Sequence, residues 1–331
     1  MKKLQIVFFQ RKPQNNYYSL ENVFDNIRKF LPKKIKSKKI ILPFTNQGFW
    51  RLLANGFFAF RNQGGINHIA GDIHYLGLFI KNKKTIITVA DCNFQKRPLP
   101  SWQKKIIAFF WYKLPLKKCA LITTISPKIK QELIDLFTLP PKKIKVIPCP
   151  TDFEFKFTPK KFNQQKPQIL HFGTNYNKNL EGTVKAVKDI KCQLIIIGHL
   201  SENQKNLLKK YKINYKNHYN LTKKEIIQKY QQSDLILFPS IYEGFGLPII
   251  EGQSVGRPII TSNLDPMKWV AGEGAILVNP KNILTIKKAI LDIIYKPNLR
   301  KKLTLLGQKN IQRFNNKKIS QQFYQLYRAI D

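Results

Sequence analysis

Asp234-Leu235-Ile236-Leu237-Phe238-Pro239-Ser240-Ile241-Tyr242-Glu243-Gly244-Phe245-Gly246-Leu247-Pro248-Ile249-Ile250-Glu251 is the stretch whose reading decides the fold of this 331-residue chain. The run from Asp234 to Phe238 predicts a buried strand, and Pro248 suits the first position of a helix, so Gly244 and Gly246 fall at a strand-to-helix turn. Such turns attract anions: glycine lets the backbone present N–H groups, and the positive end of the helix adds to them. Two carboxylates, Glu243 and Glu251, flank that turn and are placed to accept hydrogen bonds from hydroxyls. A phosphate cradle beside hydroxyl-reading carboxylates points to a sugar nucleotide as ligand.

Working outward, the same alternation of apolar strands and helices recurs on both sides. Before it, strands are predicted at Leu4 to Phe9, Ile40 to Phe44, Ile66 to Ala70, Thr85 to Ala90, Ala120 to Ser126 and Ile144 to Ile147. Ser126-Pro127 opens a helix running to about Phe137 as cap and first residue. Around the decisive stretch, strands are predicted at Gln168 to Gly173, Gln193 to Gly198, Pro258 to Thr261 and Ala275 to Val278, with a capping box at Thr222-Lys223-Lys224-Glu225 opening the preceding helix. Parallel sheets covered by helices on both faces follow, in two consecutive doubly wound α/β domains. The predicted division is residues 1–150, a Pro-, Lys- and Phe-containing linker at 151–166, a second domain at 167–314, and a last helix at 315–331 that crosses back to the first domain. Ligands of such sheets bind beyond the carboxyl ends of the strands, which makes the interdomain cleft the expected site.

Composition narrows the setting. The chain carries 58 Lys+Arg against 19 Asp+Glu, a net charge of +39, and only nine of the 58 are Arg. Abundant Lys, Asn and Ile fit a biased codon usage and a solvated lysine surface; the functional alternative is attraction to anionic lipid or polyanions. Residues 1–150 hold 28 basic and 6 acidic side chains and are the more basic part. Ser101 to Lys118 mixes aromatics with lysines as an interfacial helix does, although a core helix with polar ends reads the same way. Cys92, Cys119, Cys149 and Cys192 show neither pairing nor metal-type spacing, which fits a reducing cytoplasm. Met1-Lys2-Lys3 precedes too short an apolar run for a signal peptide, and no run reaches the length of a membrane span. The expected location is therefore the cytoplasm, with peripheral attachment at the inner membrane face as the functional reading of the charge.

Several segments, in this order and spacing, carry a resemblance to a known family: Thr123-Thr124-Ile125-Ser126-Pro127, Lys143 to Pro148, Gly173-Thr174-Asn175-Tyr176-Asn177-Lys178-Asn179-Leu180-Glu181, Glu243 to Glu251, and Gly272 to Pro280. The chain resembles the glycosyltransferase family 4 enzymes of the GT-B fold, two Rossmann-like domains facing a cleft, over nearly its whole length. That resemblance implies a retaining, metal-independent transfer of a sugar from a nucleoside diphosphate donor held by the second domain to a glycan or lipid-linked acceptor held by the first, in cell-surface polysaccharide synthesis. It implies donor contacts at Gly173, Thr174, Lys178, Glu243, Gly244, Phe245, Gly246, Leu247 and Glu251: Glu243 on sugar hydroxyls, Glu251 on the ribose, Lys178 on the diphosphate, and backbone N–H groups of the glycine turn on the sugar or diphosphate. Asp72 and His74, in a segment like the family's His-x-x-Gly-Asp-x-His-Tyr, are the candidates on the acceptor side. No cofactor is implied beyond the donor substrate, no metal ligand set is expected, and no nucleic-acid module is present.

Three positions depart from the family pattern: Ala90 precedes Asp91 where many members have His, Thr174 stands beside Gly173 where many have Arg, and Trp269 takes the place of a Glu. They leave open a catalytically degenerate scaffold that binds polyanions or membrane, and a nucleotide-sugar epimerase is a further alternative. For Asp72 and His74 the competing reading is a local role, capping the helix that follows.

Overall fold

The computed structural model describes residues 4–12, 19–96 and 99–331; the reading of Met1-Lys2-Lys3 lies outside them. The chain folds as two compact units, residues 1–150 with 316–331, and residues 151–315.

The first unit is a six-stranded parallel sheet of β1 (Gln5–Gln10), β2 (Lys36–Ile41), β3 (Ile66–Ala70), β4 (Thr85–Val89), β5 (Leu121–Thr124) and β6 (Ile144–Val146), in the order β2-β1-β3-β4-β5-β6. Its strands alternate with α1 (Ser19–Lys29), α2 (Phe49–Arg61), the paired α3 (Ser101–Ile107) and α4 (Leu114–Lys118) joined by a π-helical segment Ala108–Lys113, and α5 (Pro127–Phe137). β3 and β4 are buried at every position, as strands covered on both faces must be. Ser126 caps α5, its hydroxyl accepting from the Ile129 N–H.

The second unit repeats the plan with β7 (Gln168–Phe172), β8 (Gln193–Ile197), β9 (Tyr215–His218), β10 (Leu235–Phe238), β11 (Ile259–Ser262) and β12 (Ile276–Val278), ordered β12-β11-β10-β7-β8-β9 and parallel throughout. Its helices are α6 (Leu180–Val187), α7 (Glu202–Lys210), α8 (Lys223–Gln232), α9 (Leu247–Val255), α10 (Met267–Ala271), α11 (Ile283–Tyr295) and α12 (Pro297–Asn310). β10 lies directly beside β7, with Leu235 opposite Ile169 and Ile236 opposite Leu170. Strands far apart in sequence thus end side by side, and the loops that follow them, 173–179 and 239–246, become neighbours.

Two strands differ from expectation, both at sheet edges. β2 occupies Lys36–Ile41 rather than Ile40 to Phe44, and Ile40 is its one buried residue; three lysines on an edge strand keep other strands from pairing there. β9, with no fully buried residue, was not expected at all. An edge strand that buries little has no apolar period to read.

The stretch 151–166, expected as a linker, lies on the second unit. The buried Asp234 carboxylate accepts from the Asn163 and Gln168 backbone N–H groups (3.0 and 2.8 Å) and pairs with Lys160. Arg257 donates to the carbonyls of Thr158, Tyr230 and Gln231.

The last helix, α13 (Asn316–Ala329), packs on the first unit. His68 at the centre of β3 is fully buried and bridges Tyr327 Oη (2.6 Å, Nδ1) and Thr88 Oγ1 (2.7 Å, Nε2), and Thr88 continues to Thr123 Oγ1 (2.6 Å). Burial holds the imidazole neutral, its pKa lowered to about 3. Phe8, Phe24 and Phe323 enclose the ring.

Candidate functional site

The glycine turn forms where the sequence placed it. α9 opens at Gly246, whose φ of +110° is a conformation side chains resist, and Pro248 is its second residue rather than its first, still within the turn whose N–H groups need no partner in the helix. The helix N-terminal N–H groups are thereby turned toward the loop that holds Glu243. Phe245 contributes only backbone to this surface, because its ring is buried edge-on against Trp269 and Phe314. That packing fixes the turn between Gly244 and Gly246. Leu247, the first helical residue, is half-buried.

Lys178 reaches Glu243 across the loops that follow β7 and β10. Its Nζ stands 2.6 Å from Glu243 Oε1, both side chains being largely buried, and 5.2 Å from the centre of the Phe238 ring. Gly173 makes this possible. It has φ +90°, and a Cβ there would lie 2.7 Å from Lys178 Cγ and 3.0 Å from Cε, so the lysine stem runs over the bare glycine.

Two asparagines that the sequence reading quoted but gave no role clamp the loops together. Asn177 accepts the Ile241 N–H at its carbonyl (2.7 Å), and its Nδ2 donates to the Tyr242 carbonyl (2.9 Å). Asn179, at φ +58°, caps α6 through the Gly182 N–H while its Nδ2 donates to the carbonyls of Pro239 and Pro280. Asn tolerates this left-handed conformation better than most residues, and that was the legible signal. Lys178 is held between the two clamps.

Glu251, one turn into α9, accepts from the phenol of the buried Tyr230 (2.7 Å). Burial pushes its carboxyl up to about 7, against the lowering effect of the Tyr230 hydrogen bond. Sequence reasoning did not anticipate Tyr230. Thr174 is committed locally: its hydroxyl donates to the His199 carbonyl (2.7 Å), and its own carbonyl accepts from Gln204. Trp269 packs against Phe245 and under the Arg313 guanidinium, 5.1 Å from its ring centre.

Gly173, Thr174, Lys178, Glu243, Gly244, Phe245, Gly246, Leu247 and Glu251 thus all belong to the second unit. Asp72 and His74 form a separate cluster in the first, after β3. Neither caps the 3-10 turn His74–Leu78, whose cap position is Ile73 with no side-chain hydrogen bond. Asp72 Oδ1 instead accepts from the Trp111 indole (2.9 Å) and its carbonyl from Asn46 (2.9 Å). His74 is buried against Tyr112, with Nδ1 unpartnered; burial lowers its pKa, opposed by the Asp72 charge. Among the described residues, no three His, Cys, Asp or Glu side chains converge as a metal-binding group.

Two parallel six-stranded α/β units, with a glycine turn after a central strand of the second, define the GT-B architecture. The chain matches the family model described as Glycosyl transferases group 1 over residues 152–310, and that of Glycosyltransferase Family 4 over residues 32–155. It belongs to the group 1 glycosyltransferases of family 4. The chain is 26% identical to the O-antigen chain mannosyltransferase RfbU of Salmonella typhimurium, over 65% of this chain and 60% of that protein. To the O-antigen chain mannosyltransferase B of Escherichia coli it is 24% identical, over 65% and 62%. It therefore spans about three fifths of the length of these curated relatives. Sucrose-phosphate synthase from Thermosynechococcus elongatus superposes with a TM-score of 0.79 at 18% identity, covering 99% of both chains. Anabaena HepE, solved in complex with UDP and glucose, gives 0.80 at 15% identity, over 98% of this chain and all of that one. These structural likenesses carry the fold.

Proposed function

We propose that this protein is a retaining, metal-independent glycosyltransferase that moves a hexose from a nucleoside diphosphate donor to a glycan or lipid-linked acceptor in cell-surface polysaccharide synthesis. The observation that carries the reading is the Lys178–Glu243 pair, laid over Gly173 and set beside the N-terminus of α9. In the proposed step the anomeric carbon's bond to the diphosphate oxygen breaks and its bond to the acceptor oxygen forms on the same face. The acceptor's proton passes to the departing phosphate oxygen. Negative charge grows on the diphosphate as it leaves, so an ammonium and helix N–H groups already in place stabilise the transition state more than the ground state. Glu243 accepts hydrogen bonds from sugar hydroxyls and Glu251 from the ribose, with Tyr230 holding the Glu251 carboxyl in position. Mannosyltransferases among the relatives, and the UDP and glucose in the HepE complex, support the donor class.

The four cysteines are buried and form no disulfide, in keeping with the proposed cytoplasmic site of action at the inner membrane face, and no helix among the described residues is long and apolar enough to cross a membrane. The test is a thermal-shift panel of UDP, GDP and ADP with their sugars, followed by transfer assays. A nucleotide-selective shift supports the reading. Absence of any shift, with salt-sensitive binding to polyanions, replaces it with a scaffold that has lost catalysis; sugar interconversion without acceptor replaces it with an epimerase.

A further inference from the structure

α2 is built inside out for a helix that faces water. Asn55, Gly56 and Ala59 are its buried residues, and at Gly56 a Cβ would lie 2.6 Å from the Phe79 ring, so small side chains let the helix sit close on the core. Leu52 and Phe58 also pack on the core, but four large side chains point the other way: Phe49, Trp50, Phe57 and Phe60 are each more than half exposed, and Trp50 reaches 79%. At 100° per residue these four lie within one 100° arc, a continuous outward stripe rather than scattered apolar residues.

A second stripe stands on the neighbouring helix. Trp102 (61% exposed), Ile106 and Phe110 face outward along α3 and the π-helical segment, while Ile107, Ala108 and Trp111 pack on the core. Both helices are fastened to the same turn. Asn55 of α2 donates to the Tyr75 hydroxyl (3.2 Å), and the Tyr75 ring lies 4.5 Å from that of Trp111.

The charges that the two helices themselves carry have one sign. No acidic residue occurs between Asp25 and Asp72 or between Asp91 and Glu132, the spans that contain both helices. Arg51, Arg61, Lys104, Lys105 and Lys113 border the aromatics, and the Arg61 guanidinium rests 4.4 Å over the Phe57 ring. A second copy of this face is therefore a poor occupant, since it would bring cation against cation with no carboxylate between. A bilayer with anionic headgroups satisfies both features, because aromatic rings settle at the headgroup boundary and the cations meet lipid phosphates.

We infer that α2 and the α3–π segment form a lipid-docking face that seats the first unit on an anionic membrane, with Phe49, Trp50, Phe57, Phe60 and Trp102 entering the interface. This inference does not depend on the transferase reading, since it uses none of the donor-site residues. The experiment is flotation of the full chain with phosphatidylglycerol/phosphatidylcholine vesicles and with phosphatidylcholine alone, alongside Trp fluorescence with brominated lipid. Strong partitioning to the anionic vesicles is expected, with quenching that weakens in Trp50→Phe. Phe57→Glu/Phe60→Glu should lower partitioning at least about tenfold, two apolar side chains being lost from the interface. Its melting temperature should stay that of the wild type, because both side chains point away from the core. Wild-type partitioning in the double variant overturns the inference. So does vesicle binding without Trp quenching, or a wild-type dimer that the double variant converts to monomer. Loss of nucleotide binding alone would strike the transferase reading and leave this one standing.

Discussion

Gly173→Ala tests the donor site at the point where backbone and charge meet. The substitution imposes a Cβ on a residue at φ +90°, a region that costs a side chain about 1–2 kcal/mol. The new Cβ would lie 2.7 Å from Lys178 Cγ, closer than real contacts allow, so the flexible lysine stem must leave its groove and draw Nζ away from Glu243. Two effects follow, and they are separable. The backbone strain should lower the melting temperature of the second unit by about 2–8 °C, at roughly 2–4 °C per kcal/mol for a unit of this size. Displacement of the ammonium should weaken nucleoside diphosphate binding by about 10- to 150-fold, the equivalent of one charge-assisted contact of about 1.5–3 kcal/mol. Lys178→Ala should give the affinity loss without the thermal loss. In Lys178→Ala the groove is empty, so adding Gly173→Ala should cost further stability and almost no further affinity. Calorimetric titration of the nucleotide into the four proteins closes the cycle. Wild-type affinity in Gly173→Ala, or losses that simply add, would refute the claim that glycine is needed there to lay the lysine across it.

Other consequences can be measured independently. Glu243→Gln removes the negative partner of Lys178, so it should bind the free nucleoside diphosphate at least as tightly as wild type while transfer turnover falls by about two orders of magnitude; weaker diphosphate binding would mean that Glu243 serves only to hold the loop. If Glu251 holds the ribose as proposed, its carboxyl, raised to about 7, would accept the hydroxyls best when ionised, so nucleotide affinity should be full above pH 7 and fall by up to about tenfold per unit below it, a slope that Glu251→Gln should abolish in calorimetric titrations. His68, with its pKa lowered from 6.5 to about 3, binds a proton more weakly folded than unfolded; the stability it supplies is full above pH 6.5 and is lost as pH falls toward 3, on the order of 5 kcal/mol in all. Urea unfolding of His68→Gln across that window should show a shallower acid slope, and an unchanged slope would remove His68 as its source.

What the sequence made legible is what repeats or is chemically unusual. Asp234 to Phe238 reads as a buried strand because every residue from Leu235 is apolar, and Pro248 marks the helix after it. Edge strands β2 and β9 escaped that reading because lysine and tyrosine on an exposed edge leave no period. Within the site, Glu243 and the glycines announce themselves, whereas Tyr230 could not be assigned to Glu251 by spacing, since 21 positions and a strand separate them. Asn177 and Asn179 were visible as residues but not as clamps, because both act on backbone carbonyls of a loop 65 and 60 positions away. α2 drew no reading from the sequence, because a Phe-rich run does not say on which side of the helix Gly56 lies.

In the proposed donor site, the departures at Thr174 and Trp269 change where positive potential would come from. Thr174 spends its hydroxyl on the His199 carbonyl, and Trp269 joins Phe245, Phe314 and Arg313 in a ring cluster beneath the glycine turn. Neither side chain supplies charge. Lys178 arrives already paired with Glu243, so before a donor binds the pair presents no net charge to an incoming diphosphate. Attraction of the proposed diphosphate would then fall first to the N–H groups at the start of α9, beside the buried Phe245 ring. On the proposed reading, sugar hydroxyls that take up the Glu243 oxygens would release the ammonium toward the phosphate as its charge begins to grow. A site arranged this way should discriminate sugar-bearing donors from bare diphosphates through Glu243, although that residue never touches the phosphate.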